Sequence, residues 1–187
     1  MFIMMLSSVA SAISVTAFGA DGSDEKSDNK AFSYALTLSK DTVVTVPDGT
    51  YYIDSCNVTK NKTLIAEEGA SPVIIVNASG DNSAGFVMKE GSAIDGLIIK
   101  NGGACMRGIS ASGVNNVNIK NCEITGFSES GIYKNSGDYM TCENLTVKDT
   151  PTGINMVYAS NITIKDSYIN NCPTNGIWND HGQNLTY

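Results

Sequence analysis

The sequence predicts an all-β parallel β-helix, a solenoid of 22–23-residue coils, and three observations lead there. The first is a ladder of Gly-Ile pairs at Gly108-Ile109, Gly131-Ile132, Gly153-Ile154 and Gly176-Ile177, preceded by Gly85-Phe86. Its glycines are 23, 23, 22 and 23 residues apart. A fixed period of that size marks a repeat architecture, in which each unit buries its apolar face only against its neighbours. The second is a motif between the glycines: Asn116-Val-Asn-Ile-Lys-Asn121, Asn144-Leu-Thr-Val-Lys-Asp149 and Asn161-Ile-Thr-Ile-Lys-Asp166. Asn184-Leu-Thr-Tyr187 begins a further copy, and Gly96-Leu-Ile-Ile-Lys-Asn101 is a looser one. Each copy alternates apolar and polar residues, the period of a strand with one buried side. The third is that nothing helical lies between these segments.

Coils that pair in parallel about 4.8 Å apart align equivalent residues in columns. One inward column is expected from Ile109, Ile132, Ile154 and Ile177. A second is expected from Ile119, Val147, Ile164 and Tyr187, with Val117, Leu145, Ile162 and Leu185 beside it. The ladder glycines suit a tight turn, where φ is positive or a Cβ would crowd its neighbour.

Taken in order, residues 1–12 (MFIMMLSSVASA) form a short apolar run ending Ala10-Ser11-Ala12 and read as the remnant of a signal peptide. Residues 13–187 form the β-helix domain, with 13–53 its N-terminal cap and first strands and 54–187 its coils. A helix runs to Leu38, with Ser27 or Asp28 as N-cap and Phe32, Ala35 and Leu36 on one face. It would cover the raw apolar end of the solenoid. Thr42–Val46 is a strand, Pro47-Asp48-Gly49 a turn and Tyr51-Tyr52-Ile53 the returning strand. Thr63–Ala66 and Val73–Val76 are further strands, and Gly80-Asp-Asn-Ser83 is a turn. Gly131 to Val147 spans 16 residues, against 11 from Gly108 to Ile119, so an outward loop is expected over Tyr133–Glu143. The chain stops at Tyr187, the position of Ile164 one coil earlier. A domain truncated at its C-terminus is therefore expected, with self-association through the open end.

Composition narrows the function. Twelve basic against 19 acidic residues give a net charge of −7, which argues against nucleic-acid binding, since that normally needs a basic stripe. No apolar run reaches transmembrane length. The five cysteines, Cys56, Cys105, Cys122, Cys142 and Cys172, show no zinc-ligand spacing and read as small buried side chains.

The run Val15-Thr-Ala-Phe-Gly-Ala-Asp-Gly22, the helix that follows and the strand ending in Val46-Pro-Asp-Gly-Thr-Tyr-Tyr-Ile53 resemble the N-terminal signature of the pectate-lyase-like superfamily of right-handed parallel β-helix proteins. Asp28-Asn29 stands where that signature has an acidic pair. The resemblance implies a right-handed solenoid and a family of polysaccharide lyases, hydrolases, epimerases and phage tailspikes. The stretch Gly176–Thr186 is locally similar to mannuronan C5-epimerases, in which a Gly-x-Asp-Pro-His-Glu-Gln motif precedes an NLTI strand. His181 and Gln183 match it, whereas Asn179 and Asp180 fall where that family has Asp and Pro, and Gly176 replaces its Tyr.

Columns also suggest a site. Five residues beyond the ladder glycines stand Gly113, Ser136, Tyr158 and His181, which sets Tyr158 and His181 one above the other. A His and a Tyr suit proton abstraction beside a uronate carboxylate, with Asp180 as the third catalytic candidate. Trp178 would stack on a sugar, Lys134 or Arg107 would neutralise a carboxylate, and Asn179 joins them as a substrate-binding candidate. The alternative for His181 is a solvated surface residue. Asp149 and Asp166, taken as one column, would suit a retaining glycosidase pair or a Ca²⁺ site, and a polar turn ladder is the plainer reading. Two classes of function follow. One is a secreted or cell-surface enzyme on acidic polysaccharide, of lyase or C5-epimerase type. The other is a non-catalytic adhesion, glycan-binding or tailspike-like module. A polygalacturonase-type hydrolase would require Asp149, Asp166 and Asp180 to converge.

Overall fold

The computed structural model describes residues 12–187. The leader reading of residues 1–12 lies outside them, except for Ala12, which opens the strand Ala12–Ser14. The chain winds through three parallel sheets of eight, six and six strands, visiting each in turn. The first coil is Val43–Val46, Thr50–Ile53 and Cys56–Val58 on the first, second and third faces. The sixth is Ser160–Lys165, Tyr168–Asn170 and Asn175–Asp180, after which Leu185–Thr186 rejoins the first face. Thr50–Ile53 does not return along Val43–Val46. Gly22 packs against Gly49 at the turn, and the chain moves on to a new face, where Thr50–Ile53 pairs with Val73–Val76.

Alternation drives the burial, as in Val43–Val46, where Val44 and Val46 are buried while Val43 and Thr45 remain half-exposed. On the third face Phe86, Ile109, Ile132, Ile154 and Ile177 stack in register, each 0% exposed except the half-buried Ile177. Removing each Ile side chain from water contributes about 1.5–3 kcal/mol. The ladder glycines are second residues of third-face strands in coils three to six, and their backbones are not left-handed. What requires glycine at Gly108, Gly131 and Gly153 is space: a Cβ on Gly108 would lie 2.7 Å from the Gly131 oxygen and 2.7 Å from Ile124 Cγ2.

The second predicted column needs correction. Ile119 stacks on Cys142 and Ile164, and Val117 on Met140, Ile162 and Leu185. Leu145 and Val147 belong to the second face, where Val147 lies between Ile124 and Ile169. Both faces demand the same alternation, so Asn144–Asp149 imitates a first-face segment. The outward loop disappears with it. Ser130–Asn135 and Asp138–Glu143 are strands joined by a two-residue turn, and Gly131 to Cys142 is the same 11-residue step as in the adjacent coils.

The helix Asn29–Leu38 buries Ala31, Phe32, Ala35 and Leu36, and Phe32 meets Tyr51 edge-on at 5.5 Å. Asp28 occupies the N-cap position without capping. Its carboxylate instead accepts the Asp21 and Tyr52 amides at 2.8 and 3.0 Å, while Asn29 Oδ1 accepts those of Asp54 and Ser55. This adjacent pair sews the helix to the first coil. Among the described residues no helix is long and apolar enough to cross a membrane.

Candidate functional site

The outer side of the third face, and the corner by which the chain leaves it for the first, carry the functional candidates. Alternation sets the outward positions. Residues two beyond the ladder glycines form the outward column Val87, Ser110, Tyr133, Asn155 and Trp178. Two further on, Asn135, Val157 and Asp180 form a second. The corner begins at the next residue, where Gly113, Ser136, Tyr158 and His181 all take left-handed backbones with φ of 68°, 56°, 52° and 60°. Glycine adopts this region freely, whereas bulky side chains there are strained by about 1–3 kcal/mol and persist only when neighbours enforce them. Cross-coil hydrogen bonds do so: the Ser136 and Tyr158 amides each donate at 2.7 Å, to the Val157 and Asp180 carbonyls.

The Tyr158 and His181 rings stack with centroids 5.0 Å apart and planes at 25°, both exposed. His181 Nδ1 lies 2.5 Å from Asp180 Oδ1, which orients the ring and leaves Nε2 as its remaining proton site. The structure therefore brings Tyr158, His181 and Asp180 together. A 5.0 Å stack leaves no room for a sugar between the rings, so a ligand would meet their edges.

Trp178 is 47% exposed beside a shallow groove of about 330 Å³ lined by Thr152, Asn155, Thr174 and Asn175. Asn155 Oδ1 is buried and, among the described residues, has no hydrogen-bond partner. A buried unpaired acceptor costs about 1–3 kcal/mol unless something donates to it.

The other candidates are committed elsewhere. Lys134 shares the inward parity of Ile132 and is fully buried above Met156, its Nζ donating to the Val114 carbonyl. Burial pushes its amine down to about 8, and it cannot meet a surface ligand. Asn179 follows Met156 in that column but is exposed at the last strand of the face, where its side-chain amide donates to the Gly182 carbonyl at 3.4 Å. Arg107 is 9% exposed, ion-paired to Glu129 at 3.0 Å and stacked 3.6 Å from the Tyr133 ring centre. Asp149 and Asp166 do not share a column. Asp149 lies at the second-to-third corner and accepts from Asn171 at 2.6 Å, whereas Asp166 follows Lys165 at the first-to-second corner. The Ca²⁺ or glycosidase pair is thus not assembled, and Asp180, on the third face, converges with neither. Among the described residues no three His, Cys, Asp or Glu side chains cluster as a metal site.

Residues 39–187 match the family model of the right-handed beta helix region. The chain belongs to that family. No curated protein matches its sequence. Solved structures similar to this right-handed β-helix include a candidate glycosyl hydrolase from Parabacteroides merdae, 16% identical, with a TM-score of 0.80 over 94% of this chain and 93% of that one. An iota-carrageenase complexed to iota-carrageenan fragments is 15% identical, with a TM-score of 0.58 over 82% of this chain and 40% of that one. The Streptococcus pneumoniae surface protein and adhesin PfbA is 16% identical, with a TM-score of 0.56 over 84% of this chain and 61% of that one. At such identities the likeness is one of fold.

Tyr133, Asn155 and the groove residues Thr152, Thr174 and Asn175 were not among the sequence candidates. For Tyr133 and Asn155 the signal is the outward parity counted from the ladder glycines, the same count that turns Lys134 inward, whereas Thr152, Thr174 and Asn175 lie at the strand's entry, before the glycine, where that count does not apply.

Proposed function

We propose that this β-helix recognises carbohydrate along the outer side of its third face. The observation that carries the reading is the half-exposed Trp178 ring beside a groove lined by the polar side chains of Thr152, Asn155, Thr174 and Asn175. An aromatic face takes the apolar side of a pyranose, and the hydroxyls and amides lining the groove suit its hydroxyls. Fold neighbours that include an iota-carrageenase with carrageenan fragments and a surface adhesin support an extended glycan and an extracellular or cell-surface location. Arg107 and His181 are the basic side chains on the outward positions and corner of coils three to six, and each already faces a carboxylate. Sugars of low charge therefore fit this face better than a densely charged uronate polymer.

A second reading rests on the fixed imidazole. With Asp180 on Nδ1, His181 Nε2 is an accessible base, and Tyr158 supplies a hydroxyl for lyase or C5-epimerase proton transfer at the corner. Calorimetric titration with a panel of neutral and uronic oligosaccharides tests both. Trp178→Ala should weaken binding about 10-fold or more, the equivalent of ~1.4 kcal/mol. If a uronate polymer is turned over, His181→Ala should lower the rate about 10²-fold. Binding unchanged by Trp178→Ala, or no binding across the panel, overturns the recognition reading.

A further inference from the structure

A larger groove, about 350 Å³, lies at the other end of the same face, lined by Asp54, Ser55, Asn77, Ser79, Asn82 and Val87 among others. Its floor includes the small buried side chains Ala78 and Ala84. Register relates it to the Trp178 groove. Val87 follows Asn57 in the outward column that runs on through Ser110, Tyr133 and Asn155 to Trp178, and Ala84 heads the column Arg107, Ser130, Thr152 and Asn175. The two grooves therefore share two positions of the repeat, in different coils, and the rest of this lining comes from the corner that precedes the strand. Between them those positions are filled, because the Arg107 guanidinium lies across Tyr133 and is held by Glu129. One coil earlier Ala84 stands in place of Arg107, and the space is open.

We propose that this groove is a second glycan-binding site, which rests on the reading of the third face as a carbohydrate-recognising surface. Among the described residues the side chains of Asp54, Ser55, Asn77, Ser79 and Asn82 make no hydrogen bond, although the backbones of Asp54, Ser55 and Asn77 are fixed by other residues. One carboxylate, two amides and two hydroxyls above an alanine floor match the hydroxyls of an uncharged pyranose. With no aromatic ring in its lining, affinity there depends on hydrogen bonds. At about 4.8 Å per coil, four coils separate Val87 from Trp178 by about 19 Å, so an oligosaccharide long enough to reach both gains from bivalency.

The test is amide-resolved NMR of the full chain during titration with neutral gluco-, galacto- and xylo-oligosaccharides, from disaccharides to longer oligomers. The Asn77 and Asn82 side-chain amides should shift, and should still shift in Trp178→Ala. Asn77→Ala combined with Asn82→Gly, the glycine retaining the φ of 59°, should weaken the longest binding oligomer by about 10-fold or more. The Trp178 indole should still respond to short ones. If the indole shifts while the Asn77 and Asn82 amides stay fixed, the second site is wrong and the first reading stands. If neither responds to any sugar, both fall.

Discussion

Replacing Gly131 by Ala and, separately, Gly176 by Ala separates two roles that the repeat presents as one. A Cβ on Gly131 would overlap Val147 Cγ1 and lie 3.0 Å from the Gly153 oxygen. Val147 is fully buried in the second-face column, and the oxygen belongs to the backbone of the next coil, so neither yields without displacing a coil. Overpacking of this kind costs about 1–3 kcal/mol. Against it, alanine restricts the unfolded chain, a gain of about 0.4–1 kcal/mol. Gly131→Ala should therefore lose about 1–2 kcal/mol net, a fall in Tm of about 2–4 °C per kcal/mol for a chain of this size. At Gly176 the nearest atom is Ile169 Cγ2 at 3.8 Å, an ordinary contact, and the backbone is not left-handed. Gly176→Ala should be neutral or stabilising by up to about 1 kcal/mol. Thermal and urea unfolding measure both. Equal shifts, or a stabilised Gly131→Ala, would refute close packing as the reason for the ladder.

Lys134 gives a pH signature. Its folded value is held near 8 by burial, below the ordinary 10.5, so between these limits the unfolded chain binds more protons and stability must rise with pH. The cost of burying the charge is fully present below about 8 and is gone above 10.5, a change on the order of 3 kcal/mol. Lys134→Met, which copies Met156 in the adjacent coil, should raise Tm at pH 7 and flatten that rise; an unchanged pH profile would show that the amine is not desolvated. The thiols offer another check. Burial pushes Cys56 up to about 11 and Cys122 and Cys142 up to about 12, and Cys105 is buried too. An aromatic disulfide reagent at neutral pH should modify the half-exposed Cys172 first and the other four only on unfolding, and fast labelling of Cys122 would contradict the packing.

The third face was legible in the sequence because one residue type marks it. Glycine is needed wherever two coils approach too closely for a Cβ, so its spacing reports the register directly, and the Tyr158–His181 stack followed from counting along it. The first and second faces carry no such marker. Both alternate apolar and polar residues, and their corners take left-handed Asn or Asp, such as Asn121, Asn144 and Asp166 on one edge and Asp149 and Asn171 on the other. Asn144–Asp149 therefore imitates a first-face segment, and the apparent loop and the Asp149–Asp166 pair follow from that imitation. Lys134 was misjudged for another reason: its charge suggested the surface, while its parity with Ile132 required the interior. The Asp54–Val87 groove has no periodic signal, because residues 77–83 vary in length between coils and their side chains serve no column.

Strand pairing one coil away has a kinetic consequence. Along the first face the partners Val44–Leu64, Leu64–Ile94, Ile94–Ile119, Ile119–Cys142 and Cys142–Ile164 are separated by 20, 30, 25, 23 and 22 residues. Each step closes a loop of similar size, and the entropy of closure varies only with the logarithm of its length. The barrier to adding a coil is therefore nearly the same at every position, and each finished edge templates the next. The slow event is the first pair of coils, after which growth proceeds as a zipper whose steps do not lengthen with the chain.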